Sequence, residues 1–156
     1  MKKLTVLIAA LFALTAPAAT FAAMDHEHGG HASGMNHSGN AAHEEVVDGV
    51  KATFIVQTMA DAMKAMGMEM PKGMKETHHL HVEFKDVKSG KALTEGAVKI
   101  KVQNPDKSVQ TKDLMGMQGH FGADFDLSKK GKYGVMCKFQ LKDGKTRSAK
   151  FWYTVK

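Results

Sequence analysis

From Leu80 to Val155 the chain alternates apolar and polar residues almost without a break, the period of a strand with one buried face. Leu80, Val82 and Phe84 point one way while His79, His81, Glu83 and Lys85 point the other. Val98, Ile100 and Val102 alternate with Lys99, Lys101 and Gln103 in the same manner, and Phe121, Ala123, Phe125 and Leu127 alternate with Gly122, Asp124 and Asp126. Tyr133 to Leu141 and Arg147 to Val155 repeat the pattern, and Ala52, Phe54 and Val56 begin it further upstream. Turn signals separate these runs at Lys88-Ser89-Gly90, Asn104-Pro105-Asp106, Lys129-Lys130-Gly131 and Lys142-Asp143-Gly144. With a short strand near residues 108–114 this makes about seven strands. The expected fold is all-β, an antiparallel two-sheet sandwich of immunoglobulin-like type. A short helix is expected within Met63–Met70, ended by Gly67 or Pro71.

The N-terminus reads as an export signal. Met1-Lys2-Lys3 is a positive n-region, Leu4 to Leu14 an apolar run, and Thr20-Phe21-Ala22 a small-x-small cleavage site. The run is about 11 residues, against about 20 for a spanning helix. Residues 1–22 are therefore expected to be a signal peptide cleaved near Ala22, and the mature chain periplasmic without membrane insertion. Cys137 is the single cysteine, so no intramolecular disulfide forms and a packed core must carry stability. Residues 23–45, rich in Gly, Ser, Asn and His, lack the bulky apolar side chains needed to fold alone and are expected to be a disordered tail. The β domain is then residues 46–156.

The net charge of +6 is unevenly spread. Residues 23–48 carry Asp25, Glu27, Glu44, Glu45 and Asp48 with no Lys or Arg, and 20 of the 22 basic residues fall in residues 49–156. Export, and the absence of a motif that interleaves aromatic with basic residues, argue against nucleic acid as a partner. A solvated Lys-rich surface is the expectation.

Methionine is the compositional anomaly: the chain has 12 Met, where leucine is normally the commoner residue. Thioether sulfur is a soft donor that favours Cu(I), and by extension Ag(I), while imidazole suits copper, zinc and nickel. Three groups of such donors stand out. In the tail they are Met24, His26, His28, His31, Met35, His37 and His43, with acidic neighbours that add attraction for a cation. Cleavage after Ala23 instead of Ala22 would set His26 third from a free amine, a square-planar arrangement for Cu(II) or Ni(II). The second group is Met59, Met63, Met66, Met68, Met70 and Met74, leading into His78, His79 and His81. For Met63 and Met66, at helical spacing, plain packing is the simpler explanation. The third is Met115-Gly116-Met117-Gln118-Gly119-His120, with Met136 outward on a later strand and able to complete either domain group. Cys137 points inward and reads as an inert core thiol. Alternating hairpins would place the second and third groups at opposite ends of a sandwich, while the 17-residue connection 60–76 is long enough to bring them together. One composite site and two separate sites both stay open.

The folded part resembles the YtkA-like family of small exported β-sandwich domains, found near bacterial heavy-metal and copper-handling genes. The stretches that carry the likeness are Thr77-His78-His79, Ser89-Gly90-Lys91, Asn104-Pro105-Asp106, Met115 through Asp124, and Gly131-Lys132-Tyr133. The tail is similar to the Met/His-rich segments of exported copper- and silver-tolerance proteins. These resemblances imply the sandwich fold and metal handling. The expected function is capture and carriage or buffering of Cu(I) or Ag(I), with zinc and nickel as secondary candidates and a metal transporter or efflux component as a partner. No nucleophile elbow, trusted carboxylate pair or HExxH is present, so no enzymatic activity is expected. The rival reading is an interaction domain that docks on a transporter or envelope protein through a methionine surface.

Overall fold

The computed structural model describes residues 41–156, and the expected signal peptide and most of the expected tail lie outside them. Eight strands and one helix follow in order: β1 (His43–Val47), β2 (Val50–Thr58), α1 (Met59–Ala65), β3 (His78–Asp86), β4 (Gly96–Gln103), β5 (Val109–Met117), β6 (His120–Phe125), β7 (Gly131–Leu141) and β8 (Thr146–Val155). The short helix thus starts at Met59, four residues before the expected start. Thr58 caps it, its hydroxyl accepting from Asp61 N at 3.1 Å. Gly67, at φ +67°, ends it in the left-handed conformation.

The two-sheet sandwich is not what the chain forms. All eight strands join one antiparallel sheet in the order β1-β2-β3-β6-β5-β4-β7-β8, curled into a nearly closed barrel. Its two ends meet where His43 of β1 stacks on Phe151 of β8 at 4.9 Å. The reason lies in β5. Its first part, Val109 to Leu114, pairs with β4, and its last part, Met115 to Met117, pairs with β6. One strand therefore bridges what would have been two separate sheets. Alternation requires one buried face per strand, and a curled sheet buries that face as well as a pair of stacked sheets does.

The interior is a single cluster that includes Phe54, Leu80, Phe84, Ile100, Phe125 and Phe139. Tyr133 is buried there too, and its hydroxyl donates to Lys129 O at 2.6 Å, so the phenol is satisfied. Cys137 lies in this core, and burial pushes its thiol pKa up to about 12, which keeps it a neutral, unreactive thiol. Two hairpins turn on paired left-handed residues, Asp48-Gly49 between β1 and β2 and Gln118-Gly119 between β5 and β6.

A second, smaller buried patch sits outside the barrel. α1 packs on β2 and β3, and Ile55, Met59 and Ala62 are buried without belonging to the core cluster. Among the described residues, no helix is long and apolar enough to cross a membrane.

Candidate metal centre

The barrel's outer surface collects histidines where β3 and β6 run side by side. On β3, Leu80, Val82 and Phe84 face the core, so period two sends His79 and His81 outward. On β6, Phe121 and Phe125 face the core, which turns His120, Gly122 and Asp124 outward. The antiparallel register sets His79 opposite Asp124 and His81 opposite Gly122. His79, His81 and His120 each offer a ring nitrogen, and these nitrogens lie within 4.8 Å of one another. The ring centroids are 4.6 Å apart for His81 and His120, 5.6 Å for His79 and His81, and 6.4 Å for His79 and His120. His81 is fully buried and His120 almost so, at 7% exposure, although both leave the sheet on its outer side.

Two neighbours shape the triad. His79 Nδ1–H donates to Asp124 Oδ1 at 2.6 Å, which fixes the tautomer and leaves the Nε2 lone pair available. That nitrogen rests over Gly122: a Cβ on residue 122 would lie 2.8 Å from His79 Nε2 and 3.2 Å from the Met117 methyl carbon. The glycine therefore makes the space in which imidazole and thioether approach. Three nitrogens and a nearby sulfur form a donor set suited to copper, and three nitrogens alone suit zinc as well.

The triad opens into a groove of about 590 Å³ between α1 and the β5–β6 hairpin. His79 and His120 line it, together with Met63 from the helix, Met66 at its C-cap, and Met115 and Met117 from β5. Donors from the second and third sequence groups thus share one groove. The register accounts for this, because β3 pairs with β6 and not with β4, its neighbour in sequence.

The remaining expected donors go elsewhere. His78 shares the inward parity of Leu80. Its ring stands edge-on to Tyr153 at 6.4 Å and its Nδ1 lies 2.9 Å from the Thr77 hydroxyl. Burial lowers its pKa, with Asp126 acting in the opposite direction. Met136 is on β7, in register with Lys101 and Lys150, and β5 and β4 stand between its strand and β6. Met115 lines the groove but is 73% exposed. His43 belongs to β1, where it stacks on Phe151 and its Nε2 lies 3.4 Å from Glu45 Oε2. Met24, His26, His28, His31, Met35 and His37 lie outside the described residues. Sequence reasoning overlooked Gly122 and Asp124. The parity that turns His120 outward also turns them outward, and that signal was available.

No protein-family model matches the chain, and no curated protein matches its sequence. Solved structures do share the fold. FetP of uropathogenic Escherichia coli strain F11, crystallised as isolated, superposes with a TM-score of 0.57 at 15% identity, over 74% of this chain and 93% of that one. A copper-bound Glu-to-Gln variant of FetP gives 0.57 at 15% identity, over 73% and 94%. A DUF4426 family protein from Pseudomonas aeruginosa gives 0.55 at 14% identity, over 72% and 96%. At such identities the chain shares with these proteins a fold.

Proposed function

We propose that this protein is an exported, non-enzymatic metal-binding protein that captures and carries or buffers Cu(I) or Ag(I) in the periplasm. The observation that carries the reading is the convergence of His79, His81 and His120 around side-chain-free Gly122, with Asp124 orienting His79 and Met117 alongside. A metal-free role would not require three imidazoles to be packed nitrogen to nitrogen, two of them buried, because imidazole is costly to withdraw from water. The copper-bound FetP variant, which shares the fold, adds support for copper. The YtkA-like resemblance of the quoted stretches belongs to the same proposal.

The ion is cargo. The imidazoles supply affinity as neutral ligands, and a thioether beside them tips the preference toward the soft, reduced ion. Residues 23–40, with their spaced His and Met, would offer first contact, and ligands would exchange one at a time without any bond-breaking step. Zinc and nickel are the rival ions, and a transporter or efflux component is the proposed recipient.

The test is a competition titration of the mature full-length protein with Cu(I) under reducing conditions, with Zn(II) in parallel. Wild type is compared with His79→Ala/His120→Ala, whose fold is checked by circular dichroism. Cu(I) affinity should fall sharply in the folded variant. Unchanged Cu(I) affinity would move the metal off the triad, and no Cu(I) binding by wild type would favour the interaction-domain reading.

A further inference from the structure

The groove that leads to the triad has a sulfur wall. Every apolar side chain larger than alanine that lines it is a methionine: Met59, Met63, Met66, Met115 and Met117. Apolar surfaces ordinarily draw on Leu, Ile, Val and Phe as well. Met59 is buried, but three of the others are not filler, since Met115 is 73% exposed, Met66 46% and Met117 41%. Local structure does not call for methionine either. Outward strand positions favour β-branched, aromatic or polar residues, and Leu, Lys or Glu would serve α1 as well.

The groove's charge also suits a cation. Glu76, Asp113 and Asp124 line it against a single ammonium, Lys112, in a chain whose net charge is +6. A bond from backbone N–H and the Lys112 ammonium at 3.2 Å lower the Glu76 pKa and keep it ionised.

Met115 and Met117 stand on β5, next to the β6 strand of His120 and two strands from His79 and His81 on β3. Met115 is in register with Gly122, and Gly122 with His81, so thioether, glycine and imidazole form one cross-strand row on the outer face. Adjacent strands are about 4.8 Å apart. Because the middle position of the row has no side chain, the His79 ring and the Met117 methyl close over it, and imidazole meets thioether there.

Building on the metal-carrier reading above, we propose that Met63, Met66 and Met115 form a second metal site at the mouth of the groove. It takes a soft monovalent cation, Ag(I) or Cu(I), and passes it to the triad. Neutral thioethers hold such ions and hold Zn(II) poorly, so the mouth selects by softness and the imidazoles supply the affinity. The transfer is an exchange of ligands: no electron moves, and the ion keeps its oxidation state.

The experiment uses the full-length mature protein labelled with ¹³C at the methionine methyls, with signals assigned through single Met→Leu variants. It is titrated with Ag(I), and separately with Zn(II), beside a Met63→Leu/Met66→Leu/Met115→Leu variant. Leucine conserves volume and apolarity, so the groove stays greasy while its sulfur is removed. The expected result is that Ag(I) moves the methyl signals of Met63, Met66 and Met115. The variant should take up one equivalent less of Ag(I), load its triad more slowly, and bind Zn(II) as wild type does. If these three methyls stay still while the His79 and His120 ring signals shift, the mouth site is overturned and the triad stands. If neither set responds, the mouth site and the carrier reading both fall. Equal Ag(I) uptake by the variant and wild type would also overturn the mouth site.

Discussion

The Nε2 of His79 occupies the space that a side chain on Gly122 would fill, 2.8 Å from the position of that missing Cβ. Gly122 has no positive φ to justify a glycine, and nothing in the turn chemistry requires one there. Its role is the close approach of His79 and Met117 from either side.

Replacing Gly122 with alanine should therefore separate binding from stability. Alanine normally stabilises a strand interior relative to glycine, by roughly 0.5–1 kcal/mol. Here its methyl would displace the His79 ring, so metal affinity should drop on the order of 10-fold or more, as for disturbed metal-ligand support. Competition titration and thermal melting of the same sample read both effects. Wild-type affinity in Gly122→Ala would show that His79 does not need its present position to bind.

Asp124→Asn tests the orientation of His79. The bond of 2.6 Å from Nδ1–H to the carboxylate selects the tautomer whose Nε2 can bind a cation. Loss of such a partner typically costs about 10–100-fold in metal affinity. Asp124 is partly exposed, so the fold should persist. Nitrogen-15 spectra of the metal-free protein should show the Nδ1–H tautomer of His79 diminished. An unchanged tautomer with unchanged affinity would remove Asp124 from the site.

The far side of the barrel supplies a pH prediction independent of metal. The buried Arg147 guanidinium is gripped by Asp143, with contacts at 3.0 and 2.6 Å. The hydrogen bonds from Arg147 lower the Asp143 carboxyl pKa from 3.8 to about 2. The folded state therefore favours the ionised carboxylate. Its contribution is complete above the unfolded pKa of 3.8 and is lost as pH falls toward 2. Wild type should lose melting temperature between these pH values. Asp143→Asn should melt lower at neutral pH, with a shallower dependence across that interval. Parallel slopes for the two proteins would show that this pair does not contribute to acid sensitivity.

Much of the barrel is written in local pattern. β2, β3, β4, β6, β7 and β8 fall where the chain alternates with period two, whereas β5, expected only near residues 108–114, runs on to Met117; parity alone sends His79 and His81 outward while Leu80 and Val82 go in. β1 escaped notice because His43-Glu44-Glu45 lacks an apolar stripe: this edge strand is held mainly by pairing with β2 and by the His43–Phe151 stack. The helix start at Met59 was hidden because its buried residues, Met59 and Ala62, cover only a narrow stripe on the barrel's outside.

Which side of a strand a residue occupies follows from its own neighbours in the chain, so sequence by itself determined that this is an antiparallel β protein with outward imidazoles and a surplus of thioethers. Which strands lie side by side does not follow, because a period of two carries no information about a partner. Only the tertiary structure, through the summed burial of one shared core, decided that β3 pairs with β6 and that β5 bridges β4 to β6. That pairing made one barrel in place of two stacked sheets, and it brought His120 to His79 and His81 across about 40 residues of chain.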